Sequence, residues 1–191
     1  MSVGRVEDGI AETQRAVELD PPSGDVHAIA TQNLYVARRY DQAIDQGHKA
    51  LDIDSNNWIA RLALGLAYEQ KGDFVRALRE IQEAQKVEAE IPWPMAELGH
   101  AYAVSGRKEE AKRILEELIG RFKRSYVCPY NIAEVFVGLG ENRQAIAWLE
   151  KGIVDHSASA FMAFLNDDPE LDSLHSDAQF KDLMRRIGLA Q

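Results

Sequence analysis

The stretch Leu62–Ala84, LALGLAYEQKGDFVRALREIQEA, decides the fold. Leu64, Gly65 and Tyr68 stand at i, i+1 and i+4, on one face of a helix. Lys71-Gly72-Asp73 interrupts that helix, Gly72 suiting the left-handed residue that ends it and Asp73 the side-chain cap that starts another. The next helix carries Phe74, Ala77, Leu78 and Ile81 at i, i+3, i+4 and i+7, with Ala84 a turn further on the same side. Two amphipathic helices joined by so short a turn cannot bury both apolar faces alone, so the hairpin needs neighbours.

Working outward, the neighbours are copies of it. Ala43, Ala77, Ala111 and Ala145 recur every 34 residues, and other columns keep step. Thr31, Gly65, Gly99 and Ala133 are small or short; Leu34, Tyr68, Tyr102 and Phe136 are large with an apolar body. Ala30, Leu64, Leu98 and Ile132 lead, and Ala50, Ala84, Leu118 and Gly152 follow, small except for Leu118. A fixed period of this length is the mark of a solenoid. The small columns let helix backbones approach closely while the aromatic column fills the space beside them. Helix pairs are expected at about 24–38 with 40–53, 58–71 with 74–88, 92–105 with 108–122 and 126–139 with 142–155. Gly106 and Gly140 repeat the turn of Gly72.

Leu62–Ala84 and Ala96–Leu118, AELGHAYAVSGRKEEAKRILEEL, resemble the tetratricopeptide repeat, with its Leu-Gly, aromatic and Ala columns. The resemblance spans about residues 9–157 and departs in the usual final Pro, present as Pro21 and replaced by Ser55, Ala89, Lys123 and Ser157. It implies an all-α, right-handed superhelical solenoid of helix-turn-helix repeats. The frame is a partial repeat over 1–23, which supplies a second helix only, and four full repeats at 24–57, 58–91, 92–125 and 126–157. A degenerate helical cap follows over 158–191, with Phe161, Met162, Phe164 and Leu165, then Asn166-Asp167-Asp168-Pro169, then a last helix from about Asp177 to Ile187. The segment 168–189, DPELDSLHSDAQFKDLMRRIGL, resembles tails that follow such repeats in bacterial multidomain regulators. At the other end, a second helix without its partner is expected to leave Val6, Ile10 and Val17 in want of cover, from upstream sequence or another chain.

Composition narrows the function. The 191 residues hold 31 Asp and Glu against 22 Lys and Arg, a net charge of −9, which argues against a nucleic-acid backbone as partner. The longest run without a charged residue is the 12 residues from Val26 to Ala37, too short to span a membrane. The one cysteine, Cys128, cannot form an internal disulfide. With no charged-then-apolar start, a cytoplasmic protein is expected.

Catalytic motifs do not emerge. His27, His48, His100, His156 and His175 are dispersed, without ligand spacing, and no metal or cofactor is expected. Asp52, Asp54 and Asn56 open like a calcium loop, but Asn57 takes the place of the turn glycine and Ala63 that of the bidentate Glu. Gly138-Leu139-Gly140 reads as a turn between helices. Asp155, His156 and Ser157 are sequence neighbours, which does not make a triad. Cys128 reads as a packed thiol, since no histidine is placed by any motif to activate it.

The informative positions lie about 140° around each first helix from the core stripe, taking about 100° per residue. They hold Asp25, Ala28, Gln32, Tyr35 and Val36; Ile59, Leu62, Leu66, Glu69 and Gln70; Trp93, Ala96, His100, Ala103 and Val104; and Val127, Tyr130, Glu134, Val137 and Gly138. Thirteen of these 20 are apolar or aromatic and none is Lys or Arg, where a solvated stripe would be polar. The resemblance implies that this face lines a concave groove for peptides or helices. Contact between neighbouring first helices is the plainer explanation, and it accounts less well for the aromatic residues. Tyr35, Ile59, Leu62, Glu69, Trp93, His100, Tyr130 and Glu134 are therefore expected as groove residues. Truncating Trp93 or Tyr130 is expected to harm binding more than folding. Without basic residues the groove disfavours a clamp on a terminal carboxylate and favours an apolar or basic segment. The expected function is a non-catalytic scaffold for a partner protein. Self-assembly through the N-terminal half repeat, or service as the regulatory module of a longer bacterial signalling or transcription protein, are the alternatives.

Overall fold

The structure, a computed structural model, describes residues 2–154 and 165–189, with side chains from residue 6 onward. The chain forms two compact units, residues 1–89 and 90–191. In the first, α1 (Ser2–Leu19) precedes α2 (Gly24–Val36) with α3 (Tyr40–Ile53), and α4 (Trp58–Gln70) with α5 (Phe74–Val87). In the second, α6 (Pro92–Val104) pairs with α7 (Lys108–Phe122) and α8 (Pro129–Leu139) with α9 (Asn142–Val154). A 3-10 helix, η1 (Pro169–Leu174), and α10 (Ala178–Arg186) follow. The described residues are all-α, as the periodicity requires, and no described helix is long and apolar enough to cross a membrane.

Local chemistry sets the helix ends. Ser23, Asn57 and Asp73 cap α2, α4 and α5, their side chains accepting the N–H of Val26, Ala60 and Arg76 at 3.3, 2.9 and 3.1 Å. Gly72, Gly106 and Gly140 all take the left-handed conformation, at φ +76°, +87° and +78°. One period before Gly72, Arg38 adopts it too, at φ 62°, a conformation costly for a residue with a Cβ. α8 begins at Pro129 rather than near 126, because proline with its fixed φ and missing N–H takes the first helical position.

Each first helix packs on its own second helix, and consecutive first helices pack on each other, α2 on α4 and α6 on α8. The small columns sit at these contacts. A Cβ on Gly65 would lie 2.5 Å from Ile81 Cγ1 and 3.2 Å from the Ala77 carbonyl; one on Gly99 would lie 2.9 Å from both Ile114 and Val135. Helix propensity alone makes Gly→Ala favourable by up to about 1 kcal/mol, whereas overpacking costs about 1–3 kcal/mol. Gly65→Ala is thus expected to lower the denaturation midpoint. Gly120→Ala, whose Cβ meets nothing nearer than Arg124 Nη2 at 3.9 Å, is expected to raise or preserve it. Midpoints in the reverse order would contradict the close approach of α4 and α5.

One expectation about the N-terminus is modified, and the C-terminal cap is described in part. Ile10 is not left open: α1 lies on α2, and Ile10 is buried while Val6 and Val17 are half-buried. Beyond α9, Asp155, His156, Ser157, Phe161, Met162 and Phe164 lie outside the described residues. Leu165 rejoins the core of the second unit, which also gathers Leu118, Tyr130, Ile132, Leu149, Leu171, Leu174 and Phe180.

Candidate functional site

In the first unit, the positions singled out on α2 and α4 face inward more than outward. Tyr35, Leu62 and Glu69 are buried, with Tyr35 tilted against Tyr40 at a ring separation of 6.1 Å, and Ile59 is half-buried beside Ala28, Ala50 and Ala60. In the second unit, His100, Tyr130 and Glu134 are buried and Trp93 is half-buried. Helix contact explains part of this. A Cβ on Gly138 would meet His100 Cδ2 at 2.8 Å and Ala103 Cβ at 3.0 Å, so the end of α8 rests on α6 along the same stripe.

The rest has a cause that the repeat pattern does not contain. Residues 165–174 return across α8, and η1 packs on it. Asp168 caps η1 by accepting the Glu170 N–H at 3.0 Å, and Pro169 takes a position in its first turn. The Tyr130 hydroxyl donates to the other oxygen of Asp168. Glu170 reaches His100, with Nδ1 3.3 Å from Oε1. Carboxyl oxygens of Glu97, Glu134 and Glu170 lie within 4.8 Å of one another, all buried. Trp93 Nε1 donates to Glu97 at 2.6 Å, and the Asn131 side-chain amide donates to Glu134 at 3.2 Å. The site is thus a floor from α6 and α8 with a strip of the chain's own C-terminal segment laid on it.

Crowding of carboxyls out of water determines its electrostatics. Burial, reinforced by the charge of Asp168, pushes Glu97 up to about 7 from an ordinary 4.5. Glu134 is raised well above the usual carboxyl range, first by burial and then by Glu97 and Asp168. The Tyr130 phenol is raised for the same reasons, burial foremost. Protons held among these groups let them share the space. Three oxygens so placed are also the donor type that hard divalent cations take. Of these groups, Glu97, Asp168 and Glu170 were not foreseen. Glu97 stands one residue off the stripe, and the only local signal for the other two is the capped Asp168-Pro169 turn.

Other candidates have structural duties. His27 bridges the Pro21 carbonyl and Gln46, at 3.0 and 2.6 Å, and His48 pairs with the Tyr68 hydroxyl at 2.9 Å. His175 stacks on Phe180. Asp54 accepts the Asn56 N–H at 3.0 Å in a polar turn after α3. Burial pushes the Cys128 thiol up, away from the thiolate a nucleophile needs.

Residues 32–90 and 92–117 match family models described as tetratricopeptide repeat. No curated protein sequence matches the chain. Among solved structures, MamA is 18% identical with a TM-score of 0.52, covering 83% of this chain and 87% of that one. YrrB, described as a TPR protein with an unusual peptide-binding site, is 15% identical with a TM-score of 0.53, covering 93% and 84%. The APC/C hetero-tetramer Cut9-Hcn1 matches at 17% identity and a TM-score of 0.61, over 96% of this chain and 40% of that one. At such identities the likeness is one of fold.

Proposed function

Because the chain is a tetratricopeptide-repeat protein, we propose that it holds a segment of a partner protein and catalyses nothing. One observation carries the reading: the face of α6 and α8 already accommodates a non-repeat stretch of polypeptide, with its apolar side chains buried and the Tyr130 hydroxyl bonded to Asp168. A surface that seats one such segment has the shape to seat another. YrrB is described as binding peptide, and a shared fold lends that the weight of analogy. Tyr35, Ile59, Leu62, Glu69, Trp93, His100, Tyr130 and Glu134 remain the proposed groove residues, with Trp93 the most accessible aromatic among them. The absence of Lys and Arg along the stripe favours an apolar or basic partner segment.

Affinity capture tests this with the intact chain and its Trp93→Ala variant, each checked for its melting temperature. A partner retained by the first and bound at least about 30-fold more weakly by the second, a loss of about 2 kcal/mol, supports a groove anchored by Trp93. A partner held equally by both places binding elsewhere on the molecule.

A further inference from the structure

Resting on that reading, we propose that the α6–α8 face is a binding face held shut by the chain's own residues 165–174, and that its external ligand is an extended segment presenting Lys or Arg where the resident segment presents Glu170. The resident segment fits well in its apolar part, since Leu165, Leu171 and Leu174 are at most 2% exposed. It fits poorly in its charges. Asp168 and Glu170 are laid against Glu97 and Glu134, so four carboxyl groups meet in one place, with His100 as the basic group at 3.3 Å from Glu170. Carboxyls crowded away from water either hold protons or oppose one another, and a single cation in their midst would let them ionise against it.

An occupant with matching shape and opposing charge is suited to displacement. Its advantage is covalent attachment, which supplies a high effective concentration without demanding a strong contact. A free segment with the same apolar spacing and a cation at the critical position gains contacts that the resident segment lacks. The ligand then binds with an affinity reduced by the fraction of molecules in which the face is closed. Weakening the resident segment should therefore tighten the ligand without changing the floor that receives it.

The test uses the full chain and a labelled peptide spanning residues 165–176 that carries Glu170→Lys, with the native-sequence peptide as comparison. The lysine peptide is expected to bind at least 10-fold more tightly than the native one. Its binding should strip amide-exchange protection from residues 165–174 of the chain while α7 keeps its own. In the chain, Leu171→Ala should tighten the lysine peptide about 10-fold; Asp168→Ala, a milder change in the same segment, should do so several-fold. Combining Glu97→Gln with Glu134→Gln should bring the two peptides within about 3-fold of each other. If the lysine peptide binds but residues 165–174 stay protected and neither resident-segment variant matters, the ligand sits elsewhere; this inference fails while protein binding in general survives. Native peptide binding as well as the lysine peptide overturns the charge assignment. If exchange shows the segment released in Leu171→Ala or Asp168→Ala and still neither peptide binds, the face is no binding face and the proposed function loses its support. No binding with the segment protected in both variants shows a permanent cap and overturns displacement.

Discussion

Tyr130→Ala is expected to destabilise the 90–191 unit by about 3–5 kcal/mol, as much as a core truncation. Tyr130 is 2% exposed, belongs to the same apolar cluster as Leu118 and Leu171, and donates its hydroxyl to Asp168. Removing the ring leaves a cavity under the returning segment and takes away a hydrogen bond that holds it. Tyr130→Phe removes only the bond and should cost about 1 kcal/mol. The reference is Leu118→Ala, at a fully buried position on α7, for which about 2–5 kcal/mol is expected. Chemical denaturation of the three variants gives the comparison. A wild-type midpoint for Tyr130→Ala would show that residues 165–174 do not cover α8 in solution. Drawn from burial under residues 165–174, this expectation is the opposite of the one from sequence, that truncating Tyr130 as a groove aromatic harms folding less than a core truncation does.

The second large effect is a fall in the stability of the same unit as the pH rises from about 5 to 8. Glu97 is raised to about 7 in the folded protein against an ordinary 4.5. A carboxyl group raised on folding binds its proton more tightly in the native state, so its contribution is fully present below the unfolded value and is lost as the pH climbs through the folded one. At 1.36 kcal/mol per unit, Glu97 alone changes the stability by about 3 kcal/mol across that window. Glu134, also raised by burial, adds to the loss in the same direction. The groups facing Glu97 are Trp93 and His100 on its own helix, Glu134 on α8, and Asp168 and Glu170 at η1. Exposed Glu110 in this unit is lowered by Arg107 and works in the opposite sense, but below the ordinary carboxyl range and hence outside the window. Denaturation midpoints at pH 5.5, 7 and 8 should fall for the native sequence and flatten for Glu97→Gln. Equal slopes for the two proteins would remove Glu97 from the account.

The repeat was legible because its determinants are local. A left-handed turn favours a glycine at one position, a helix start favours an oxygen-bearing side chain, and close backbones favour Gly or Ala. Gly72, Asp73, Gly65 and Ala77 state those preferences in adjacent letters. The 34-residue period then repeats the statement, so helix ends follow to within about three residues, the largest departure being the start of α8 at Pro129. The buried state of the first-helix stripe was legible only in part, through Ala28, Ala96 and Ala103, whose small size anticipates helix contact.

What the tertiary structure alone decided is the fate of Tyr130, Glu134 and His100. Their cover comes from residues outside the period, with Asp168 38 positions after Tyr130. No local propensity encodes which earlier surface a non-repeating segment returns to. That choice is made by summed burial of Leu165, Leu171 and Leu174 against the cost of ordering their segment and crowding carboxyls. Glu97 shows the same division. Its identity and its place on α6 are written in the chain, but its proton affinity is a property of what lies on top of it. Periodicity determines the helices and which faces they must cover; the packing of the returning segment determines which of those faces water, or a partner, can reach.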